Sequence, residues 1–399
     1  MSRQRVIVQV SSKGWSGGRD LCMNLVDGFP VVYWTVKRIL DYVPGAEISV
    51  AAPGFDRGGE LDHLVSLFPP GSIHLFYGWD DSPLDRMLEV CKDFEDEDYI
   101  IRIDGLHLFF DIDASLNMLQ QARENHLDCV KLPDDFPVQF GSDIYRVGAM
   151  RKLTRLLNAQ GDSIYKVHPK FYMFAHLDQF RSSYARQVPG YTDEYLRRCR
   201  QTAQSVYRDP RLEVNESRIW AGDQLSFHYE LAMQYLQPGM SVFDVACGDG
   251  YGTRMLARKI ARMQGADIDP DTIAVAKKLT SSKNVLYHIE DVTNMTFGAN
   301  EFDAITSMET IEHVDDRAYM KEVYRVLKPG GILILSTPQN RLGHIPVNSV
   351  HIREYSLDEI TGLCSQYFTV KHVLGIKAGR IILPGDPYGS NTVLVCAKE

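Results

Sequence analysis

The sequence has no cysteine pattern to build on. Its seven cysteines, Cys22, Cys91, Cys129, Cys199, Cys247, Cys364 and Cys396, are scattered, odd in number and form no CxxC pair. That argues against a disulfide framework and a cysteine zinc site, and fits a reducing compartment. No apolar run is long enough to cross a bilayer, so no membrane span is expected. The opening residues, Met1 to Arg5, lead into a short apolar segment at Val6–Val10. No secretion-signal core follows, and a cytoplasmic location is the expectation. Positive charge is in deficit: 43 Lys and Arg stand against 52 Asp and Glu, a net charge of −9. Nonspecific nucleic-acid binding needs a basic footprint, so no nucleic-acid partner is expected. Low-complexity tracts and internal repeats are missing as well, which leaves ordinary globular domains.

What is there supports two of them. A chain of 399 residues with 44% hydrophobic and 24% charged residues can bury two separate cores. Two blocks alternate apolar strands with helical patterns, the signature of α/β architecture. In the first, strands are expected at Val6–Val10, Glu47–Ala52, Ser72–Phe76, Tyr99–Ile103 and Cys129–Leu132, in a mainly parallel sheet. In the second they are expected at Ser241–Ala246, Gln264–Ile268, Val285–His288, Phe302–Ser307, Gly331–Ser336, Phe368–Leu374 and Thr392–Ala397. Residues 171–215, rich in Arg, Tyr and Gln, read as a helical connector between domains at 1–170 and 216–399.

The chemistry concentrates in the second block. The strand Val242–Ala246 runs into Cys247-Gly248-Asp249-Gly250-Tyr251-Gly252 and then a helix expected over Thr253–Met263. Glycines let a backbone turn sharply and approach a ligand, and a helix start offers N–H groups. The next strand ends near Asp267 and Asp269, where an acid can accept both ribose hydroxyls of a nucleoside. The third is followed by Glu290-Asp291-Val292, the fourth by Met308-Glu309-Thr310-Ile311-Glu312-His313, and Leu327-Lys328-Pro329-Gly330-Gly331 leads into the fifth.

These motifs, in this order and spacing, resemble the class I S-adenosylmethionine-dependent methyltransferases over about the last 180 residues, particularly the ubiquinone-biosynthesis and glycan branch. The resemblance implies a seven-stranded Rossmann-like sheet and S-adenosylmethionine as cofactor. It implies that Asp244, Gly248 and Gly250 shape the methionine pocket, with Asp244 near the amino group. Asp267 would bind ribose, Asp291 and Val292 adenine, and Met308 and Glu309 would line the wall near the sulfonium. Asp269 reads instead as the cap of the following helix. Arg218, Trp220, His228 and Tyr229 would belong to a leading helix that closes over the cofactor.

A neutral hydroxyl acceptor benefits from a general base, and imidazole titrates near neutrality. His351, in a polar loop that resembles the acceptor-side His-x-Arg-Glu-Tyr of glycan methyltransferases, is the first choice, with Arg353 beside it to pair with a substrate anion or with Glu354. His313 is the second choice, equally readable as a helix cap, and His344 is a weaker third. No metal site is expected.

The first block resembles the cytidylyltransferases of polysaccharide biosynthesis. The resemblance runs through Val6–Val10, a Gly-rich loop, Gly28-Phe29-Pro30-Val31-Val32, Ile101-Arg102-Ile103-Asp104-Gly105-Leu106 and Phe136–Asp143. A working enzyme of that kind would use CTP and Mg2+, with Lys13, Arg19, Asp104 and Asp143 as its residues to test. Leu106 stands where those relatives carry a metal-binding Asp, and it offers Mg2+ no oxygen. The expectation is therefore a nucleotidyltransferase-like fold that has left its chemistry behind, joined to a methyltransferase acting on a small-molecule or glycan acceptor such as a sugar, nucleotide-sugar or polysaccharide precursor. The alternatives are a bifunctional cytidylyltransferase/methyltransferase acting on a sugar or phosphonate, and a methyltransferase whose first domain binds ligands or assembles a homo-oligomer.

Overall fold

The computed structural model describes residues 4–13, 19–43, 46–161, 164–206, 224–348 and 350–399. The chain divides into two compact units, Met1–Arg208 and Asp209–Glu399. The expected boundary at 215/216 lies outside the described residues, as do Gly14, Gly17, Gly18, Arg218 and Trp220.

The first unit holds β1 (Gln4–Gln9), β2 (Leu25–Val26), β3 (Phe29–Pro30), β4 (Ile48–Pro53), β5 (His74–Gly78), β6 (Tyr99–Asp104), β7 (Cys129–Lys131), β8 (Asp143–Arg146) and β9 (Ser182–Tyr184). Seven of these form one sheet in the order β5-β4-β1-β6-β8-β7-β9. β5, β4, β1 and β6 run parallel, while β8 is antiparallel to both its neighbours. β2 and β3 make a separate hairpin, turned by Asp27 and Gly28 with φ of +50° and +82°. Two positive φ values in a two-residue loop are the reason Asp-Gly occurs there.

Two expectations need correction. Residues 171–215 are not simply a helical connector: Ser182–Tyr184 joins the first sheet as β9, parallel to β7, and the helix Asp193–Val206 falls within the first unit. The β9 segment is too short for a periodic pattern to show. The helix expected over Thr253–Met263 spans only Tyr251–Leu256, because Arg262 and Met263 already belong to a strand.

That strand belongs to the second sheet: β10 (Ser241–Val245), β11 (Arg262–Asp267), β12 (Val285–Ile289), β13 (Phe302–Met308), β14 (Leu327–Pro338), β15 (Thr369–Ile376) and β16 (Asn391–Ala397). Its order is β12-β11-β10-β13-β14-β16-β15. The first five run parallel, and β16 is antiparallel to β14 and β15. The strand order reverses between β10 and β13, and in such sheets ligands bind beyond the carboxyl ends of the strands at the reversal.

Both faces are covered, which is why the central strands read as continuous apolar runs. One layer packs Tyr229, Leu256 and Ile273 of three helices onto the sheet. The other packs Tyr319, Val323, Val326, Ile360 and Leu363 of the helices Asp316–Val326 and Leu357–Ser365. In that second layer the rings of Phe243 and Phe302 stack at 4.8 Å, both fully buried. Phe302→Ala should cost about 3–5 kcal/mol by leaving a cavity there, read as a lower urea midpoint. A loss below about 1 kcal/mol would contradict this packing.

Candidate active site

The carboxyl edge of the second sheet is built on a bent backbone. Where β10 ends, Ala246, Gly248 and Gly250 adopt φ of +50°, +56° and +79°. Ala246 is a β-carbon residue in a conformation that favours glycine, a local strain that the surrounding fold must hold. The glycines serve different needs. A Cβ on Gly248 would meet nothing within 4 Å, so that side of the loop is open. A Cβ on Gly250 would lie 2.3 Å from the Tyr287 hydroxyl, and one on Gly252 2.0 Å from the Tyr229 ring. Gly250 and Gly252 are therefore packing glycines, and Gly248 is the one that faces open space.

Asp267 closes this loop against β11. Its carboxylate accepts from Gly248 N at 3.1 Å and from Asp269 N at 3.0 Å, and it stays half-buried at the edge. Asp269 caps the helix Pro270–Leu279, accepting from Asp271 N and the Thr272 hydroxyl. Ile268 between them is 67% exposed despite being apolar, a feature the sequence reading passed over. Asp291, at the end of β12, is exposed and accepts from the N–H and hydroxyl of Thr293, while Val292 is buried.

Asp244 has no exposed surface. Three hydroxyls donate to it: Thr253 at 2.6 Å, Thr306 at 2.8 Å and Tyr229 at 3.2 Å. Burial pushes its carboxyl up to about 6 even though those hydroxyls stabilise the charge. Its role is to pin the helix carrying Tyr229, the start of the helix after the loop, and β13 to one point.

The end of β13 is tied off in a similar way. Glu309, with φ of +52°, accepts from Ser336 Oγ at 2.8 Å and Asn391 Nδ2 at 2.7 Å. His228 Nδ1 lies 3.0 Å from the same Ser336 hydroxyl, and burial lowers the imidazole's pKa. Glu309 thus clamps β13, β14 and β16 together, with its side chain 22% exposed, and Met308 is buried.

The acceptor-side residues do converge. His313 and His351, 38 positions apart in sequence, bring their rings to 5.0 Å in an edge-on arrangement. His313 is exposed, with Nδ1 3.2 Å from the Val350 carbonyl. Burial, and then His351, lower its pKa. His351 is buried, with Nδ1 2.8 Å from Glu354 Oε1 and Nε2 3.3 Å from Asn348 Nδ2. Glu354 is held in turn by Asn340 Nδ2 at 2.7 Å. Glu312, next to His313, is fully buried and accepts from the Thr337 hydroxyl at 2.9 Å. From the sequence Glu354 is expected only as a partner for Arg353, not for His351; the i, i+3 spacing of His351 and Glu354 was the available signal. Arg353 is corrected: it pairs with Glu359 at 2.9 Å, not with Glu354, and so braces the capped start of the helix Leu357–Ser365. His344 is exposed and takes no part in this cluster. A groove of about 370 Å³ lined by Gln237, Gly239, Asp303 and Lys328 lies at the amino ends of the strands, away from these residues.

In the first unit the four residues singled out from the sequence are occupied with other protein groups. Lys13 lies over the Phe55 ring at 4.9 Å and Arg19 pairs with Glu60 at 2.7 Å. Asp104 pairs with Arg102 at 3.1 Å and accepts from Leu106 N. Asp143 takes Lys170 at 2.9 Å and lies 3.6 Å from Arg102. Burial would raise the Asp143 carboxyl, but those two cations outweigh it and hold it below the usual carboxylate range.

The buried Asp244 gives a pH signature. Its folded pKa of about 6 lies above the roughly 3.9 of an unfolded aspartate, so the folded state binds this proton more tightly. Wild-type stability should therefore fall relative to Asp244→Asn as pH rises from about 4 to about 6. Urea midpoints of both proteins across that range test this, and a constant difference between them would refute it.

Residues 243–335 match the methyltransferase domain family. A probable S-adenosylmethionine-dependent methyltransferase of Mycolicibacterium smegmatis is 30% identical over 148 residues, covering 35% of this chain and 56% of that protein. A ubiquinone biosynthesis O-methyltransferase of Xanthomonas campestris pv. campestris is 38% identical over 111 residues, covering 27% of this chain and 46% of that protein. The chain thus spans about half the length of these curated relatives. Among solved structures, the PH0226 protein from Pyrococcus horikoshii OT3 aligns at 22% identity and a TM-score of 0.40, over 48% of this chain and 98% of that one. The second unit, with its glycine loop, its carboxyl-edge acids and a mixed seven-stranded sheet, carries a class I S-adenosylmethionine-dependent methyltransferase domain.

Proposed function

We propose that the chain transfers a methyl group from S-adenosylmethionine to a hydroxyl oxygen of a small-molecule acceptor. The observation that carries this reading is the bond from Gly248 N to Asp267, made at the strand-order reversal beside the open side of Gly248. When bound, S-adenosylmethionine supplies an electrophilic methyl. The residues present suit it. Asp267 sits where its carboxylate can accept from ribose hydroxyls, and exposed Ile268 offers an apolar surface for adenine. Asp291 and the backbone of Val292 would address the ring edge. Gly248 leaves room for the methionine portion, which Asp244, being buried, supports only through the loop.

The acceptor would enter over the loops that follow β13 and β14. Alignment of its oxygen with the methyl is the main task. Loss of the hydroxyl proton is the second, and the cluster of His313 and His351 is the place for it. The name of the Xanthomonas relative, an O-methyltransferase, supports oxygen over nitrogen as acceptor.

The choice between a phenolic and a sugar acceptor turns on the first unit. Its sheet also reverses order, between β1 and β6, with Asp104 at the carboxyl end of β6. That favours a ligand-binding unit for a nucleotide or phosphorylated sugar. The ion pairs of Asp104 and Asp143 with Arg102 and Lys170, and Leu106 beside them, weigh against nucleotidyl transfer. A surface-polysaccharide precursor is the acceptor this second reading names.

Asp267→Ala should weaken S-adenosylhomocysteine binding about 10- to 100-fold by calorimetry, the worth of hydrogen bonds to a charged group. Unchanged affinity would sink the assigned ribose contact. His351→Ala should keep that affinity within about twofold and lower turnover by about 100-fold or more, measured over catechols, sugars and nucleotide sugars. With CTP, Mg2+ and candidate sugars, the full chain should release no pyrophosphate; release would establish the bifunctional alternative.

A further inference from the structure

We propose that Arg341 and Tyr388 form a subsite for an oxyanion, a carboxylate or a phosphate, carried by the methyl acceptor. The inference rests on the methyl-transfer reading, which it deepens by giving the acceptor a charge.

Both residues come from loops at the carboxyl edge of the second sheet. β14 ends there at Pro338, and residues 377–390 join β15 to β16 at the same edge, because β16 runs antiparallel to both strands. Gln339, Asn340 and Arg341 follow β14, and each side chain makes a different tie. Gln339 brackets the 377–390 loop: Nε2 donates to the Pro387 carbonyl at 3.2 Å, and Oε1 accepts from Gly389 N at 3.3 Å. Asn340 donates to Glu354, which holds His351. Arg341 lies over the Tyr388 ring at 5.6 Å, and both residues are exposed. Shortly past Tyr388, Asn391 donates to Glu309 at 2.7 Å, so the loop is anchored beside the end of β13.

An exposed aromatic ring is ordinary by itself. What sets Tyr388 apart is how firmly its backbone is held. Lys377 has no exposed side-chain surface; its Nζ donates to the Tyr388 carbonyl and pairs with Asp386 at 3.1 Å. Burying a lysine is costly unless partners in good geometry meet its charge. A plain surface connection needs no such group. Packing adds a second restraint. A Cβ on Gly375 would lie 2.3 Å from the Tyr388 carbonyl oxygen, and one on Gly389 2.3 Å from the Ile376 carbonyl oxygen. The loop is therefore seated against β15 with no room for a side chain at either point. Groups held in place before a ligand arrives lose less freedom on binding it, and recognition residues are positioned in this way.

The chemistry of the pair selects the ligand. A guanidinium presents its N–H donors as a planar fork, which takes two oxygens of a carboxylate or phosphate side by side. Attraction to the face of the Tyr388 ring steadies Arg341. The ring also offers an apolar surface for the body of the acceptor. Two other arginines of this edge serve the fold instead: Arg353 pairs with Glu359 and Arg380 with Glu230, each bracing a helix. A neutral acceptor gains nothing from the Arg341 fork, and that difference in affinity is the specificity. Carboxylate-bearing acceptors and phosphorylated sugars share the recognised group, and the experiment separates them.

The test uses the full chain saturated with S-adenosylhomocysteine and two matched pairs of probes: protocatechuate against catechol, and glucose-6-phosphate against glucose. By calorimetry, the charged member of at least one pair should bind about 10-fold or more tightly than its neutral partner. Which pair shows this tells a carboxylate source from a phosphate source. Arg341→Ala should erase the preference, weakening the charged probe about 10- to 100-fold and leaving the neutral one within about twofold. Arg341→Lys should restore part of it, and Tyr388→Ala should weaken the charged probe about 3- to 10-fold. Thermal melting and S-adenosylhomocysteine affinity, followed in every variant, separate a lost contact from a lost fold. Equal affinity for both members of each pair, binding of neither charged probe, or a preference that survives in Arg341→Ala overturns the proposal. Methyl transfer to the same four probes is scored separately. Transfer to a neutral probe without any Arg341-dependent preference keeps the methyl-transfer reading and removes the subsite, whereas Arg341-dependent binding without transfer does the reverse.

Discussion

A single carboxylate in a dry interior holds the second unit's working edge together. Asp244 has no contact with solvent, and a lone buried charge would be very costly. Hydroxyls of Tyr229, Thr253 and Thr306 make its burial tolerable. Because they come from the leading helix, the helix after the glycine loop and β13, satisfying one group fixes three elements. The loop that presents Gly248 is then a consequence of this knot, and Asp267 locks its other side.

The same device recurs along the edge. Glu309 gathers Ser336 and Asn391, Glu354 gathers Asn340 and His351, and Glu312 takes Thr337. Each carboxylate binds a strand end or the loop beyond it to a neighbour. Polar networks of this kind give a unique arrangement when every member is satisfied. Glu312 is the member whose second oxygen has no donor among the described residues. The strained φ values of Ala246 and Glu309 fall at the ends of adjacent strands on this edge, where a stiff scaffold can hold them.

The first unit shows the opposite use of charge. Arg102 lies between Asp104 and Asp143, and Lys170 adds to Asp143, so its acids and bases neutralise one another.

Much of this was legible in the amino-acid order, for definite reasons. The seven strands of the second sheet show as apolar runs because both of its faces are covered. The glycine loop, Asp267 and the cap at Asp269 show because backbone geometry and helix starts demand particular residues locally. β9 did not show, being three residues long, and neither did the early end of the helix at Leu256, where the next strand competes for the same chain. The burial of Asp244 did not show either, because sequence tells that an acid is present but not which way it faces. The pairing of His313 with His351 across 38 positions, and of Arg353 with Glu359 rather than Glu354, is likewise decided in space. Local order thus determined the strands of the second sheet, the glycine loop and the methyltransferase-domain match of residues 243–335. Tertiary structure alone decided which polar groups are buried and which meet, because those properties depend on chain segments distant in sequence.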